Sequence, residues 1–303
     1  MKKLISLLAA IVMGVPAYAA WFLDRDNTMV DADDDVGAAM AVILGPTGTV
    51  TQAIQVCSGV YLATAHGALD SPIIARDNGR SVSPAGKASM RLIAYPMSRE
   101  NLTEALDEVD YISPRLRDPS LWENGRENTD YVFITVDDPP RPQSFVTPLF
   151  MTPDQLIDNA DRLEVFMYRG KSRYQGAKTG GLDYNEDIAI SDSDVPALIR
   201  LYQQPQRVVQ SCEFLPNGMT LDGYVAHDSP TEQGASGAPY ISQFDGMSYL
   251  VGINTRGGDG NVEEFSALYA GASSILMSSA FCADYETACG RPCTSLSDVM
   301  TLE

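Results

Sequence analysis

Apolar residues in this chain fall in short runs, seldom in long helical stripes. Met40–Leu44 is five apolar residues in a row, and Gly45-Pro46-Thr47-Gly48 behind it is a hairpin-turn signal. Residues 49–56 then alternate, with Val50, Ile54 and Val56 on one face and Thr49, Thr51 and Gln55 on the other. That period of two predicts a strand. Residues 59–63 form a third short run, and the same pattern predicts strands at 87–95, 130–136, 162–168, 207–214 and 249–255. Helical spacing occurs only in pieces. Residues 98–109 carry Leu102, Ala105 and Val109 on one face. Thr152-Pro153-Asp154-Gln155 reads as an N-cap with proline at the first helical position. Residues 192–202 and 273–281 are two further helix candidates.

Many short strands with few helices indicate an all-β architecture, a sandwich or a pair of barrels. Asp137-Asp138-Pro139-Pro140-Arg141-Pro142 is the clearest linker and falls near the middle of the chain. The expected organisation is a first β unit over 37–137, a linker over 138–150, and a second β unit over 151–303 ending in a cysteine-rich tail.

The N-terminal end changes the picture next. Met1-Lys2-Lys3 precedes an apolar run from Leu4 to Val15 and then Ala17-Tyr18-Ala19, the pattern of a secretory signal over 1–19 with cleavage after Ala19. The run is shorter than the ~20 residues that a bilayer span needs. The expected product is exported, periplasmic or extracellular, with no membrane association after signal removal. Residues 20–36 form an acidic leader, read as solvated. Its Asp31-Ala32-Asp33-Asp34-Asp35 is no calcium loop, because Val36 and Val42 stand where glycine and a bidentate carboxylate are needed.

A formal net charge of −19 repels nucleic acid and anionic lipid, so nucleic-acid binding is set aside. Export makes disulfides chemically allowed for Cys57, Cys212, Cys282, Cys289 and Cys293. Three of them close together near the end suggest a stapled tail, and the odd count leaves one over. With two histidines and no Cys-x-x-Cys pair, no metal site is expected.

Candidate chemistry centres on Thr231-Glu232-Gln233-Gly234-Ala235-Ser236-Gly237-Ala238-Pro239. A serine between glycines suits a nucleophile at a tight turn, where the N–H groups of Gly234 and Ser236 can converge into an oxyanion hole. Such a serine needs an imidazole base and a carboxylate to orient it. His66 lies at the end of an apolar strand in Leu62-Ala63-Thr64-Ala65-His66, and His227 is its competitor.

These stretches together resemble the chymotrypsin/trypsin-like serine proteases. In that family Thr-Ala-(Ala)-His carries the base and Gly-Asp-Ser-Gly-Gly-Pro the nucleophile. Asp130 before its apolar strand is similar to the family's acid, and Gly252-Ile253-Asn254-Thr255-Arg256-Gly257 to its substrate-pairing strand. The order His, Asp, Ser along the chain is the family's order. The stretch 227–237 is most similar to the bacterial secreted glutamyl-endopeptidase-like branch, which makes His227 structural. The resemblance implies two antiparallel Greek-key β-barrels with the active site in the cleft between them. It implies a His66–Asp130–Ser236 triad, an oxyanion hole from Gly234 and Ser236, and substrate contacts from Thr231, Gln233, Thr255, Arg256 and Gly257. Thr255 is also expected to hydrogen-bond Asp130. The implied protein is a monomer acting on proteins or peptides without a cofactor.

The chain also departs from the family. Ala235 replaces the aspartate that receives a freed N-terminus, and Gly67 replaces the cysteine after the base, so Cys57 lacks its usual partner. Ser229 replaces a cysteine that would pair with one resembling Cys212. Pro230 argues against a preference for Lys or Arg at P1. Thr231 suits a glutamate-directed pocket, but Asn254 stands where those members carry histidine. Asp137 and Asp138 are fallback acids, whereas Asp187 has a similar local look but lies beyond the linker, in the wrong half. A catalytically silent protease-fold binding module is the alternative reading. An α/β-hydrolase is disfavoured because its histidine would come last in the chain.

Overall fold

The computed structural model describes residues 27–29, 34–44, 50–69, 80–82, 91–94, 110–118, 120–123, 127–139, 141–159, 163–167, 206–209, 220–221, 224–227, 236–257, 272–275 and 278–300. Its strands, in chain order, are β1 (Asn27–Met29), β2 (Met40–Leu44), β3 (Val50–Cys57), β4 (Val60–Ala63), β5 (Arg80–Val82), β6 (Arg91–Ala94), β7 (Asp110–Ile112), β8 (Val132–Thr135) and β9 (Leu149–Phe150). They continue with β10 (Leu163–Met167), β11 (Gln206–Val209), β12 (Thr220–Leu221), β13 (Tyr224–His227), β14 (Pro239–Phe244), β15 (Met247–Gly257), β16 (Ala272–Ile275) and β17 (Thr294–Ser295). For β1, β5, β6, β11, β12, β13 and β16 the backbone alone is described.

Two antiparallel sheets carry the fold. The first runs in the order β5-β7-β8-β4-β3-β2-β6, the second in the order β1-β11-β10-β14-β15-β16-β13-β12. A short parallel pair, β9 with β17, ties the chain's end to its middle. The strand expectations near 40–44, 49–56, 59–63, 130–136, 162–168 and 249–255 all correspond to observed strands, the last being longer than expected. The hairpin Phe244-Asp245-Gly246-Met247 joins β14 to β15, with both central residues at positive φ. Asp-Gly is the sequence that such a two-residue turn demands.

Side-chain alternation explains why the two sheets adhere. From β2 and β3, Val42, Ile54 and Val56 face one core together with Phe166, Ile241, Leu250 and Ile253 of the second sheet. Ala41, Ile43 and Ala53, one position out of phase, face a separate core with Tyr61, Ala63, Val132 and Ile134. The second sheet likewise turns Val165, Tyr240 and Val251 into a third core. Successive residues of a strand point to opposite faces, so each sheet lines its own interior with one face and joins the shared core with the other. Neither face of β3 is wet. Thr51 and Gln55 are buried, and each donates to the backbone of a distant segment: Thr51 Oγ1 to the Ser236 carbonyl at 3.0 Å and Gln55 Nε2 to the Arg141 carbonyl at 3.0 Å.

Three expectations need correction. Residues 273–281 are not one helix: β16 pairs with both β13 and β15, and the helix begins later, at Ser279–Cys289. Ser278 caps it, its Oγ accepting from the Phe281 N–H at 3.2 Å. The leader is not wholly solvated: Asn27–Met29 pairs with β11, and the Asp34 carboxylate caps the helix Asp35–Ala39 by accepting from the N–H groups of Val36 and Gly37. The tail, expected with the second unit, reaches both: Val299 joins the core of the second sheet, while the helix Ser279–Cys289 packs on the first. Phe281 and Tyr285 enter the shared core beside Tyr131 and Phe133. Cys57 has a new partner there, Cys289, and Cys282 pairs with Cys293. Cys212 lies outside the described residues, as do the helix candidates at 98–109 and 192–202. The Thr152 cap is present as expected. Its Oγ1 accepts from Gln155 N–H while Gln155 Oε1 accepts from Thr152 N–H, a reciprocal box ahead of the helix Pro153–Asp158.

Candidate active site

Three separate chain segments deliver His66, Asp130 and Ser236 to one place. His66 lies in the four-residue helix Ala65–Ala68 that β4 runs into. Asp130 precedes β8, the strand paired with β4, so the antiparallel register brings the end of one beside the start of the other. Its carboxylate accepts from the His66 N–H through Oδ1 at 2.9 Å, and its carbonyl accepts from the Ala65 N–H at 3.4 Å. Asp130 thereby fixes the backbone of the turn as well as the ring.

Ser236 comes from the other sheet, in the turn that enters β14. Its carbonyl is docked on β3, accepting from the Gln52 N–H at 2.8 Å and the Thr51 hydroxyl at 3.0 Å. Gly237 follows at φ +85, and its N–H donates to the Asn254 carbonyl of β15 at 2.8 Å. A Cβ at Gly237 would stand 1.9 Å from the Gln52 carbonyl oxygen, so glycine is required there by both conformation and space. Gly67 is constrained similarly: a Cβ would meet Thr51 at 2.6 Å. Thr51 Oγ1 also contacts Thr64 Oγ1 at 3.1 Å, so one buried threonine braces both the histidine turn and the serine turn.

The side chains form a continuous line. His66 Nδ1 lies 2.6 Å from Asp130 Oδ2, and His66 Nε2 lies 3.0 Å from Ser236 Oγ. Burial pushes the Asp130 carboxyl up, but the charge and hydrogen bond of His66 and then the Arg115 charge outweigh it and hold the group below the usual carboxylate range. Deprotonated, Asp130 can only accept, so Nδ1 carries the proton and Nε2 of a neutral ring is left to accept from the serine hydroxyl. Asp130 is buried while the His66 side chain is 41% exposed, so the Ser236 end of the line opens outward and the Asp130 end does not.

Other predicted residues are placed less uniformly. Thr255 is buried in β15, in the bulge where the β16 register shifts between Asn254 and Arg256. Its Oγ1 meets no hydrogen-bond partner among the described residues, so the expected bond to Asp130 is absent. Arg115 is there instead, its Nη1 3.3 Å from Asp130 Oδ1. Arg256 and Gly257 pair with β16 through their backbone. Gly234, Thr231 and Gln233 lie outside the described residues. His227 lies in β13, where only backbone is described, and the fallback acids Asp137 and Asp138 are exposed beyond the far end of β8. Sequence reasoning missed Thr51, Gln52 and Arg115. The Ser113-Pro114 step before Arg115 is a helix-start signal, but nothing local marks that arginine as buried.

Among the described residues no cluster of His, Cys, Asp or Glu could hold a metal ion, and no helix is long and apolar enough to cross a membrane.

No protein-family profile matches the chain, and no curated protein matches it by sequence. Solved structures do match. A Glu endopeptidase in complex with MPD aligns over 88% of this chain and 98% of its own, with a TM-score of 0.52 and 12% identity. The protease Anisep from Arthrobacter nicotinovorans aligns over 88% of this chain and 100% of its own, with a TM-score of 0.49 and 12% identity. A thermostable serine protease AL20 from an extremophilic microorganism aligns over 86% of this chain and 99% of its own, with a TM-score of 0.48 and 13% identity. The sheet order, the antiparallel pairing and the likeness to the Glu endopeptidase together give this chain the chymotrypsin-like double β-barrel fold of the serine proteases.

Proposed function

We propose that the chain is an exported serine endopeptidase that hydrolyses peptide bonds through an acyl-enzyme. The observation that carries this reading is the unbroken line from Ser236 Oγ through His66 to the buried Asp130 carboxylate. His66 Nε2 takes the Ser236 proton as Oγ attacks the scissile carbonyl carbon. Asp130 holds the ring in the required tautomer and balances the imidazolium that results. The N–H groups of Gly234 and Ser236 receive the developing oxyanion. Collapse breaks the C–N bond, with His66 returning the proton to the leaving amine, and a water then cleaves the ester by the same route.

Substrate lies along the 255–257 segment of β15 as an added strand, with Thr255, Arg256 and Gly257 supplying backbone contacts. Thr231 and Gln233 line the pocket for the P1 side chain. Pro230 places no carboxylate there, so acidic or small P1 residues are preferred over basic ones. The basic, apolar and small-residue segments of 1–19 support export, and two disulfides suit an oxidising compartment. The protein acts as a monomer, without a cofactor.

Incubating the purified protein with peptides that differ only at P1 tests the reading. Cleavage by the parent, none by Ser236→Ala, and faster turnover after Glu or Ala than after Arg are expected. Fastest cleavage after Arg would overturn the specificity. Equal, background-level turnover by parent and variant would leave a silent binding module.

A further inference from the structure

The seat beside the catalytic acid is taken by a buried cation. Arg115 sits in the helix Pro114–Arg117, its side chain only 7% exposed, with Nη1 3.3 Å from Asp130 Oδ1. Ser113 explains the approach. Its Oγ accepts from the Arg115 N–H at 3.3 Å and donates to the Tyr131 carbonyl at 2.6 Å, fastening this helix to the residue after Asp130. Trp122 holds the other side: its Nε1–H donates to the Arg115 carbonyl at 3.1 Å, and its ring lies under the guanidinium, with Cζ 5.1 Å from the ring centroid. An aromatic face stabilises a desolvated cation. Arg117, the next cation on this helix, is engaged elsewhere, by Asp284.

We propose that Arg115 is a positioning residue for Asp130 that also sets the proton affinity of the Asp130–His66 pair, with Trp122 holding it in place. The argument is one of charge. An aspartate steadied by a neutral hydroxyl carries −1 beside a neutral imidazole, and protonating the ring brings the pair to zero. With Arg115 in contact the cluster starts at zero, and protonating His66 takes it to +1. The cluster therefore stabilises the imidazolium less with Arg115 in place than with Arg115 removed. The charged groups facing His66 among the described residues are Asp130 and, through it, Arg115; Ser236 faces it as a neutral donor.

This extends the proposed protease reading, but its test does not depend on turnover. His66 and His227 are the only histidines, so their imidazole C–H resonances can be followed against pH by NMR and assigned with His227→Gln. Removing a buried cation at this range, across a ring that is partly solvent-screened, is expected to raise the His66 midpoint by about one pH unit in Arg115→Met. Arg115→Lys keeps the charge and is expected to stay within about 0.3 unit of the parent, even where its geometry lowers activity. Trp122→Leu, which uncovers the guanidinium, should move the midpoint in the same direction by a smaller step and serves if Arg115→Met does not fold. An unmoved midpoint in Arg115→Met, or equal shifts in the Met and Lys variants, would overturn the proposal. A shift without any peptidase activity would uphold it and count against the protease reading alone.

Discussion

Asp130 satisfies several demands with two oxygens: it orients the His66 ring, caps the His66 turn and meets Arg115. Asp130→Asn keeps the shape but presents an amide where a carboxylate must accept, so the ring adopts the wrong tautomer. A fall of about 10⁴-fold in kcat is expected at neutral pH, read from steady-state kinetics. The same residue shapes acid stability. Its folded-state proton affinity is held below that of the unfolded chain, so its contribution is complete above the ordinary carboxylate range and is lost as pH falls through the folded value. Urea midpoints of parent and variant should therefore differ at pH 7 and converge well below about pH 4. Gly237→Ala meets both the +85 φ and the Gln52 carbonyl. It is expected to cost about 2–4 kcal/mol and to displace Ser236, measurable by denaturation and by lost turnover. His66 and Ser236 were legible in the sequence because each sits in a short, locally specified turn. Thr51 was not, because its role is set by a carbonyl 185 residues away. Arg115 was not either, since an exposed and a buried arginine read alike in a sequence.

At the scale of elements, the helix Ser279–Cys289 does most to join the chain's end to its beginning. Phe281 stacks edge-on against Tyr131 with centroids 5.1 Å apart, and Asp284 accepts from the Tyr131 hydroxyl at 2.7 Å and from both terminal nitrogens of Arg117. Arg291 donates to the Val56 carbonyl at 2.9 Å, beside the Cys57–Cys289 bridge. Replacing Cys57 and Cys289 by serine is expected to lower stability by about 2–4 kcal/mol in chemical denaturation, with the first sheet exposed earliest to hydrogen exchange. Phe281→Ala, which empties a fully buried position, should cost about 3–5 kcal/mol. This element also shows where local pattern misleads. Residues from Ser273 onward read as helix, yet β16 pairs on both sides, so the sheet decides their conformation. Ser278, with its capping hydroxyl, marks the start that periodicity placed too early.

Across the whole molecule, the proposed catalytic geometry depends on two sheets staying docked, since His66 and Asp130 belong to one and Ser236 to the other. The seam is short and specific. The Ser236 carbonyl is held by Thr51 and Gln52, and the Val146 N–H donates to the Gln55 carbonyl at 2.9 Å. Around it lies the shared apolar core of Ile54, Phe166, Ile241 and Leu250. Thr51→Val removes one hydrogen bond of the seam while keeping the volume. A stability loss of about 1 kcal/mol is expected, with a drop in kcat of about 10-fold to 100-fold and little change in KM, because the reacting atoms are displaced more than the substrate is. Strand alternation made the all-β class readable. The packing of the helix Ser279–Cys289 on the first sheet was not readable, because it depends on a disulfide and on the Arg117–Asp284 ion pair between segments far apart in the chain.

Fluorophosphonate labelling followed by peptide mapping tests the central claim, that Ser236 is an activated nucleophile. Stoichiometric labelling at Ser236, abolished by Ser236→Ala and strongly slowed by His66→Ala, is the predicted result. A folded, disulfide-intact protein that takes no label, or takes it at the same rate without His66, would contradict it.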